Sequence, residues 1–285
     1  MELVTEKQYE NIIKLFKECY SDTGRVLHKS MYNWMYYTQP TIVTLRYDGN
    51  KLVGHYALRI LDKFLDSGFG KVAISFNTMV HPNYQHRGIF ISLAKEAYEI
   101  ARNMNISCIY GFPNKNSAPG FFKHLGWEKL EGVYEYRYDT RSLLTNNHIK
   151  ECSISNIDTF EVYNLNHRLN NYYPYNRGHY TLIGNFYKDN KITKDWAIYK
   201  TYYGPNFVNR HILKVESFTE NSKKDMVSFI LNKSYEEGFD YVYGWANKDD
   251  RIDFYPIEKI RDVTCGQLIF KRGMVKVTTF DSDSY

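Results

Sequence analysis

An α/β fold with mixed sheets, arranged as two domains, is predicted by three observations. Alternating apolar residues from Val72 to Val80 give way to a short loop and then to helical spacing from Ser92 to Met104. Two other alternating runs, Thr41 to Tyr47 and Lys51 to Ile60, flank Asp48-Gly49-Asn50, a hairpin turn signature. The length of 285 residues favours two domains over one.

In chain order, Tyr9, Ile12, Ile13, Phe16 and Tyr20 form one face of an opening helix, with Thr5 as its N-cap and Gln8 at the capping-box position. Met31 to Tyr37 predicts a second, short helix. The hairpin and the strand ending at Val80 follow. Leu93, Ala97, Ile100, Ala101 and Met104 recur at the spacing of a core-facing helical stripe. Ile106 to Phe112 reads as a buried strand, Ala118 to Leu125 as a short helix stopped by Gly126, and Tyr134 to Tyr138 as the strand that closes the first sheet. Ser142 to Lys150 is polar and Asn-rich, a linker that divides the chain into residues 1–142 and 150–285. Beyond it, helices are expected at Ile157 to Leu169 and Asp225 to Glu237. Strands are expected at Asp195 to Tyr202, His211 to Phe218, Tyr241 to Trp245 and Gln267 to Arg272.

The two halves echo each other. Ile109-Tyr110-Gly111-Phe112-Pro113-Asn114-Lys115 matches Val242-Tyr243-Gly244-Trp245-Ala246-Asn247-Lys248, and each follows a strand and then a helix. This predicts a duplication.

Composition narrows the function classes. Charged residues make up 24% and hydrophobic residues 43%, which excludes a disordered chain and allows a real core. The net charge of +5 comes without a Lys/Arg block, so no nucleic-acid partner is expected. Cys19, Cys108, Cys152 and Cys265 are widely spaced, which suggests neither a zinc site nor a disulfide framework, and no metal is expected. No leader pattern and no apolar run of about 18 residues is present, so a cytoplasmic protein without a membrane partner is the expectation. With 27 Tyr and 17 Phe, the chain has many side chains suited to half-wet clefts.

The chemistry centres on Val80-His81-Pro82-Asn83-Tyr84-Gln85-His86-Arg87-Gly88-Ile89-Phe90. A helix start offers unpaired N–H groups and partial positive charge. Gly88 permits close backbone approach and Arg87 adds a cation, a combination suited to a pyrophosphate. The second half has no equivalent loop: after Val215-Glu216-Ser217-Phe218 comes Thr219-Glu220-Asn221-Ser222.

Gln85-His86-Arg87-Gly88-Ile89-Phe90 resembles the Gln/Arg-x-x-Gly-x-Gly/Ala motif of the GCN5-related N-acetyltransferase (GNAT) superfamily. Asn114 to Ser117, followed by Gly120 to Trp127, is similar to that superfamily's later Asn…Tyr-x-x-x-Gly-Phe segment. The resemblance covers about half the chain and implies tandem GNAT-like domains, the second degenerate. It implies acyl-CoA as co-substrate, its pyrophosphate on Gln85, His86, Arg87, Gly88, Ile89 and Phe90. Pantetheine would pair with the backbone of Met79 and Val80, where the two strands splay apart. Asn114 or Asn116 would contact the cofactor arm, or else would cap the next helix. The sequence departs from the motif at Phe90, where Gly or Ala is preferred. It departs again at Phe122, where many members carry a tyrosine that protonates the departing thiolate.

For the amine proton, the candidates are His55, His81 and Asn77, the last as a water-positioning group. His81 also suits a supporting role beside the loop, and His55 suits a buried hydrogen-bonded role. Tyr172, Tyr173 and Arg177 lie in an aromatic- and amide-rich stretch that suits a sugar beside a phosphate. The implied reaction is N-acylation of a small amine, best matched by a nucleotide-linked (dTDP or UDP) aminodeoxy sugar of surface-polysaccharide synthesis. An aminoacyl-tRNA-dependent peptide transferase of similar tandem fold and a non-catalytic acyl-CoA sensor are the alternatives.

Overall fold

The computed structural model describes residues 6–21, 26–37, 40–65, 68–141, 149–151, 178–187, 191–203, 208–216, 219–247 and 257–271. The expected helix at Ile157 to Leu169, the Thr5 cap and the candidates Tyr172, Tyr173 and Arg177 lie outside them.

Helices α1 (Glu6–Tyr20) and α2 (Lys29–Tyr37) open the chain, followed by strands β1 (Thr41–Asp48), β2 (Lys51–Leu65) and β3 (Gly68–Val80). β1, β2 and β3 form an antiparallel meander, and Gly49 takes the left-handed conformation that its two-residue turn requires. Helix α3 (Ile89–Asn103) then crosses over to β4 (Cys108–Gly111), which runs parallel to β3. The helix packs through Leu93, Ala94, Ala97, Tyr98 and Ala101, while Ile100 and Met104 face solvent. The buried stripe is thus rotated slightly from the expected one, and its alanines let the helix lie close to the sheet. Ala118–Leu125 coils as expected, but over Gly120–His124 as a single π-helical turn.

Two strands join other sheets than their place in sequence suggests. The short β5 (Glu128–Lys129) is followed by β6 (Val133–Asp139), which contains the expected Tyr134–Tyr138 strand. β6 does not close the first sheet. It pairs antiparallel with β11 (Tyr241–Asn247) and β12 (Ile257–Asp262) in the second. Conversely β13 (Gly266–Ile269), the expected last strand of the second half, lies between β4 and β5 in the first sheet. The contiguous division 1–142 and 150–285 therefore gives way to two discontinuous units. One comprises residues 1–131 with 264–276 and the other comprises 132–263 with 277–285. A sheet seeks a hydrogen-bonding partner for each exposed ladder, and sequence proximity does not decide which strand supplies it.

The second unit repeats the plan of the first. β7 (Ile149–Glu151), β8 (Gly178–Tyr187), β9 (Lys191–Tyr203) and β10 (Val208–Glu216) are antiparallel neighbours. Helix α4 (Glu220–Glu236) then leads to β11, parallel to β10, and β6 lies antiparallel beside β11 as β13 does beside β4. Each unit has its own core. In the first, Tyr56, Leu58, Leu93, Ile109, Phe121 and Trp127 are buried together. In the second, Tyr199, Met226, Ile230, Leu231 and Val242 are.

Because β13 supplies the antiparallel partner of β4, a chain ending at Val263 should lose it and expose the β4 edge. We expect such a truncation to lose the cooperative unfolding transition of the first unit, measured by urea denaturation followed by tryptophan fluorescence.

Candidate functional site

The site is built where β3 parts from β4. Their parallel pairing spans only Val72↔Cys108, Ala73↔Ile109 and Ile74↔Tyr110. Beyond Ile74 the register with β2 also slips. His55 pairs with Met79 and Ala57 with Phe76, so Asn77 and Thr78 together oppose Tyr56. This is a β-bulge, which bends and twists the strand that carries it. Asn77 adopts a left-handed φ of 45°, a conformation asparagine tolerates better than most residues.

The bulge is held by a closed ring of hydrogen bonds. His55 Nδ1 lies 2.7 Å from the Asn77 carbonyl oxygen, which can only accept, so Nδ1 carries the proton. His55 Nε2 then accepts from the Tyr36 hydroxyl at 3.1 Å, and that hydroxyl in turn accepts from Asn77 Nδ2 at 3.2 Å. Burial of the ring holds the His55 pKa down at about 4, against an ordinary 6.5. His55 is therefore neutral and has both ring nitrogens engaged inside the protein. The geometry offers a bound amine no open lone pair on it, and the Asn77 amide nitrogen donates to Met35 Sδ and the Tyr36 hydroxyl. Tyr36 has no local sequence signal for this role, since only tertiary packing of α2 on the sheet brings it there.

His81 is buried at the end of β3. Its Nδ1 accepts from the Asn83 N–H at 3.1 Å and so caps the 3₁₀ turn Pro82–Tyr84. Its Nε2 sits 2.7 Å from Lys51 Nζ and 3.4 Å from Glu18 Oε2. This is the supporting role beside the loop. Cys19, in the last turn of α1, approaches the Val80 carbonyl at 3.6 Å, and burial followed by the neighbouring Glu18 pushes its thiol up to about 11. It is a weak nucleophile.

Of the two expected pantetheine partners, Val80 is the better placed. The bond from His81 N–H to the Val53 carbonyl sets which peptide groups of β3 face β2. By strand alternation those of Met79 face β2 and those of Val80 face away from it. The Val80 carbonyl is additionally reached by Gln85 Nε2 at 3.3 Å, which ties the start of the loop to the strand end.

Gln85, His86, Arg87 and Gly88 are exposed. His86 and Gly88 both have positive φ, 61° and 76°. Gly88 is the N-cap of α3, has no side chain to satisfy the helix N–H groups, and is followed by a first turn without acidic residues. Arg87 stacks on Tyr84, whose hydroxyl donates to Asp48 Oδ2 at 2.6 Å. A second guanidinium, Arg46 of β1, donates to Ser92 Oγ in the first turn at 3.0 Å. The sequence reading did not single out Arg46, because it lies on a strand remote from the motif. The uncapped helix start with two flanking cations suits a pyrophosphate. Gly54 brings this helix to the sheet: a Cβ there would lie 2.6 Å from Ile89 Cγ2 and 2.9 Å from Leu93 Cδ1. An interior strand glycine is a sequence signal for such an approach.

The same helix start is closed off in the second unit. Thr219 Oγ1 accepts from the Ser222 N–H at 3.1 Å, and Glu220 stands in the first turn of α4. A carboxylate there competes for the charge that a phosphate would use.

Asn114 caps the turn that leads into the π-helical segment. Its Oδ1 accepts from the N–H groups of Asn116 and Ser117, each at 3.0 Å. Asn114, Lys115 and Asn116 remain exposed. The two departures from the motif have structural complements. The Phe90 ring occupies the place where a Cβ on Gly120 would stand, 2.3 Å from Phe90 Cε1. Phe122 fills the corresponding place over Gly266 of β13, at 2.6 Å. Among the described residues no group of three or more His, Cys, Asp or Glu side chains could hold a metal, and no helix is long and apolar enough to cross a membrane.

Two outcomes follow. Gly120→Ala should lower the unfolding free energy, measured by urea denaturation, by about 1–3 kcal/mol through overpacking against Phe90, and adding Phe90→Leu should recover part of the loss. Because the unfolded chain protonates His55 first, its contribution to stability is complete above pH 6.5 and is lost as the pH falls from 6.5 towards 4. The urea midpoint of the wild type should fall across that window more steeply than that of His55→Asn.

Comparison with known proteins agrees with this geometry. Residues 1–130 match the family model described as an acetyltransferase (GNAT) domain. A GCN5-related N-acetyltransferase from Anabaena variabilis superposes with a TM-score of 0.72 at 12% identity, covering 94% of this chain and 71% of that one. A conserved protein from Enterococcus faecalis, described as a probable N-acyltransferase, gives 0.70 at 13%, covering 93% and 71%. A tandem GNAT protein from the clavulanic acid biosynthesis pathway gives 0.55 at 13%, covering 92% and 95%. No curated protein matches the chain. With an uncapped, doubly flanked helix start following a splayed strand in one unit and the same plan repeated in the other, residues 1–130 carry an acetyltransferase (GNAT) domain, and the chain as a whole is similar in fold to a tandem GNAT protein.

Proposed function

We propose that this protein transfers an acyl group from acyl-CoA to the amino group of a nucleotide-linked aminodeoxy sugar, in the cytoplasm. The observation that carries the acyl-CoA part is the N-terminus of α3: Gly88 leaves it uncapped, and Arg87 and Arg46 flank it. In this reading Gln85, His86, Arg87, Gly88, Ile89 and Phe90 hold the pyrophosphate. The Val80 backbone, with Met79 behind it, aligns the pantetheine, and Asn114, Asn116 and Phe122 border the arm. The acceptor part rests on the sequence, where Tyr172, Tyr173 and Arg177 combine aromatic faces and a guanidinium in the second half of the chain.

The reaction joins the amine nitrogen to the thioester carbonyl carbon and breaks the C–S bond, releasing CoA. A backbone N–H at the β3 end would polarise the carbonyl, and alignment would supply much of the barrier reduction. Both ring nitrogens of His55 and His81 are engaged within the protein, so in this reading the amine attacks in its neutral form and its proton passes to solvent. Phe122 carries no phenol, and the CoA sulfur leaves as the thiolate, which a thiol pKa of about 8.5 allows.

Isothermal titration with acetyl-CoA and longer acyl-CoAs tests the donor, and absence of binding would end this reading. A Cβ at Gly88 meets nothing within 4 Å, so Gly88→Val should fold. Its strained positive φ and bulk at the phosphates should weaken acetyl-CoA binding by roughly tenfold or more. Mass spectrometry of products from a panel of acyl-CoAs and amino-sugar nucleotides tests the acceptor.

A further inference from the structure

We infer that His55 is a positioning residue, acting through the Asn77 carbonyl to hold the bulge that opens the acyl-CoA cleft, and that residue 77 acts through its backbone. The inference rests on the acyl-CoA reading of that cleft. The bulge begins three residues after the last β3–β4 pair, Ile74↔Tyr110. Straightening it would restore a regular strand and shift by one residue which peptide groups of β3 face the cleft. The groups of Val80 would then turn towards β2 and those of Met79 towards the opening. A positive φ at Asn77 is costly for any residue but glycine unless its surroundings enforce it.

His55 enforces it directly, donating from Nδ1 to the Asn77 carbonyl at 2.7 Å from a fully buried ring. Tyr36 completes the enforcement. Its hydroxyl takes the Asn77 side-chain amide at 3.2 Å and closes on His55 Nε2 at 3.1 Å. Each of the three residues donates once and accepts once in the ring, so each bond fixes the direction of the next. Removing the His55 ring leaves the Asn77 carbonyl and the Tyr36 hydroxyl without these partners.

Paired substitutions separate a backbone role from a side-chain role. Asn77→Gly keeps access to the left-handed conformation and discards the amide; Asn77→Ala discards both. His55→Asn can place an amide N–H where Nδ1 stood, whereas His55→Leu cannot. Acetyl-CoA affinity is read by isothermal titration, with thermal unfolding to establish that each variant is folded. We expect Asn77→Gly and His55→Asn to bind within roughly threefold of the wild type, and Asn77→Ala and His55→Leu to bind roughly tenfold or more weakly. Equal affinities for Asn77→Gly and Asn77→Ala would overturn the proposal, as would wild-type binding by His55→Leu. If His55→Leu fails to fold, the Asn77 pair alone decides. A wild-type protein that binds no acyl-CoA would overturn the reading of the cleft and this proposal together. Wild-type binding that survives in Asn77→Ala overturns the proposal alone.

Discussion

The structure of the first unit depends on one constraint: β3 must stop pairing with β4 while it continues to pair with β2. Three residue pairs join β3 to β4, whereas the β2 ladder runs the length of β3 with one slip. That asymmetry leaves peptide groups at the end of β3 without a strand neighbour, and a buried peptide group without a partner is unfavourable. A bound extended ligand is one way to satisfy them. The strained conformation that goes with the asymmetry is local, at Asn77, and buried hydrogen bonds that include a neutral histidine hold it in place. A neutral ring suits that place because a charge there would be desolvated.

Duplication and strand exchange shape the rest. Both units run through antiparallel strands, a helix and a parallel strand, and each receives its next antiparallel strand from a distant part of the chain. The two copies differ at the helix start. In the first, a left-handed glycine without a capping side chain is flanked by arginines; in the second, Thr219 caps the Ser222 N–H and Glu220 places a negative charge in the first turn. A helix end is satisfied by its own chain, by water or by a ligand; the second unit uses its own chain, and the first leaves its helix start without a capping side chain.

The departures at Phe90 and Phe122 are absorbed by complementary loss of side chain. Gly120 yields the space that Phe90 fills, and Gly266 yields the space that Phe122 fills. Both rings pack against the core of the first unit, where Phe121 and Trp127 are buried. Their effect is to exchange small or polar groups for packing. The Gln85–Gly88 loop has positive φ at His86 and Gly88, and the π-helical segment carries no phenol at position 122.

The sequence by itself determined many of the elements and the loop that leads into α3. Alternation and helical spacing placed the hairpin, β3 and α3, and the Gln85–Gly88 loop was legible because its chemistry is backbone chemistry carried by contiguous residues. The echo of Ile109–Lys115 in Val242–Lys248 likewise marked the two parallel strands β4 and β11. Tertiary structure alone decided the partners. The exchange of β6 and β13 was hidden because a strand's period records which face is buried and says nothing about which edge it joins. The roles of Tyr36, His55 and Asn77 were hidden because a hydrogen-bond ring drawn from α2, β2 and β3 has no spacing in sequence. Arg46 and Gly120 matter through what α3 brings against them, and that contact exists only once the helix has docked on the sheet.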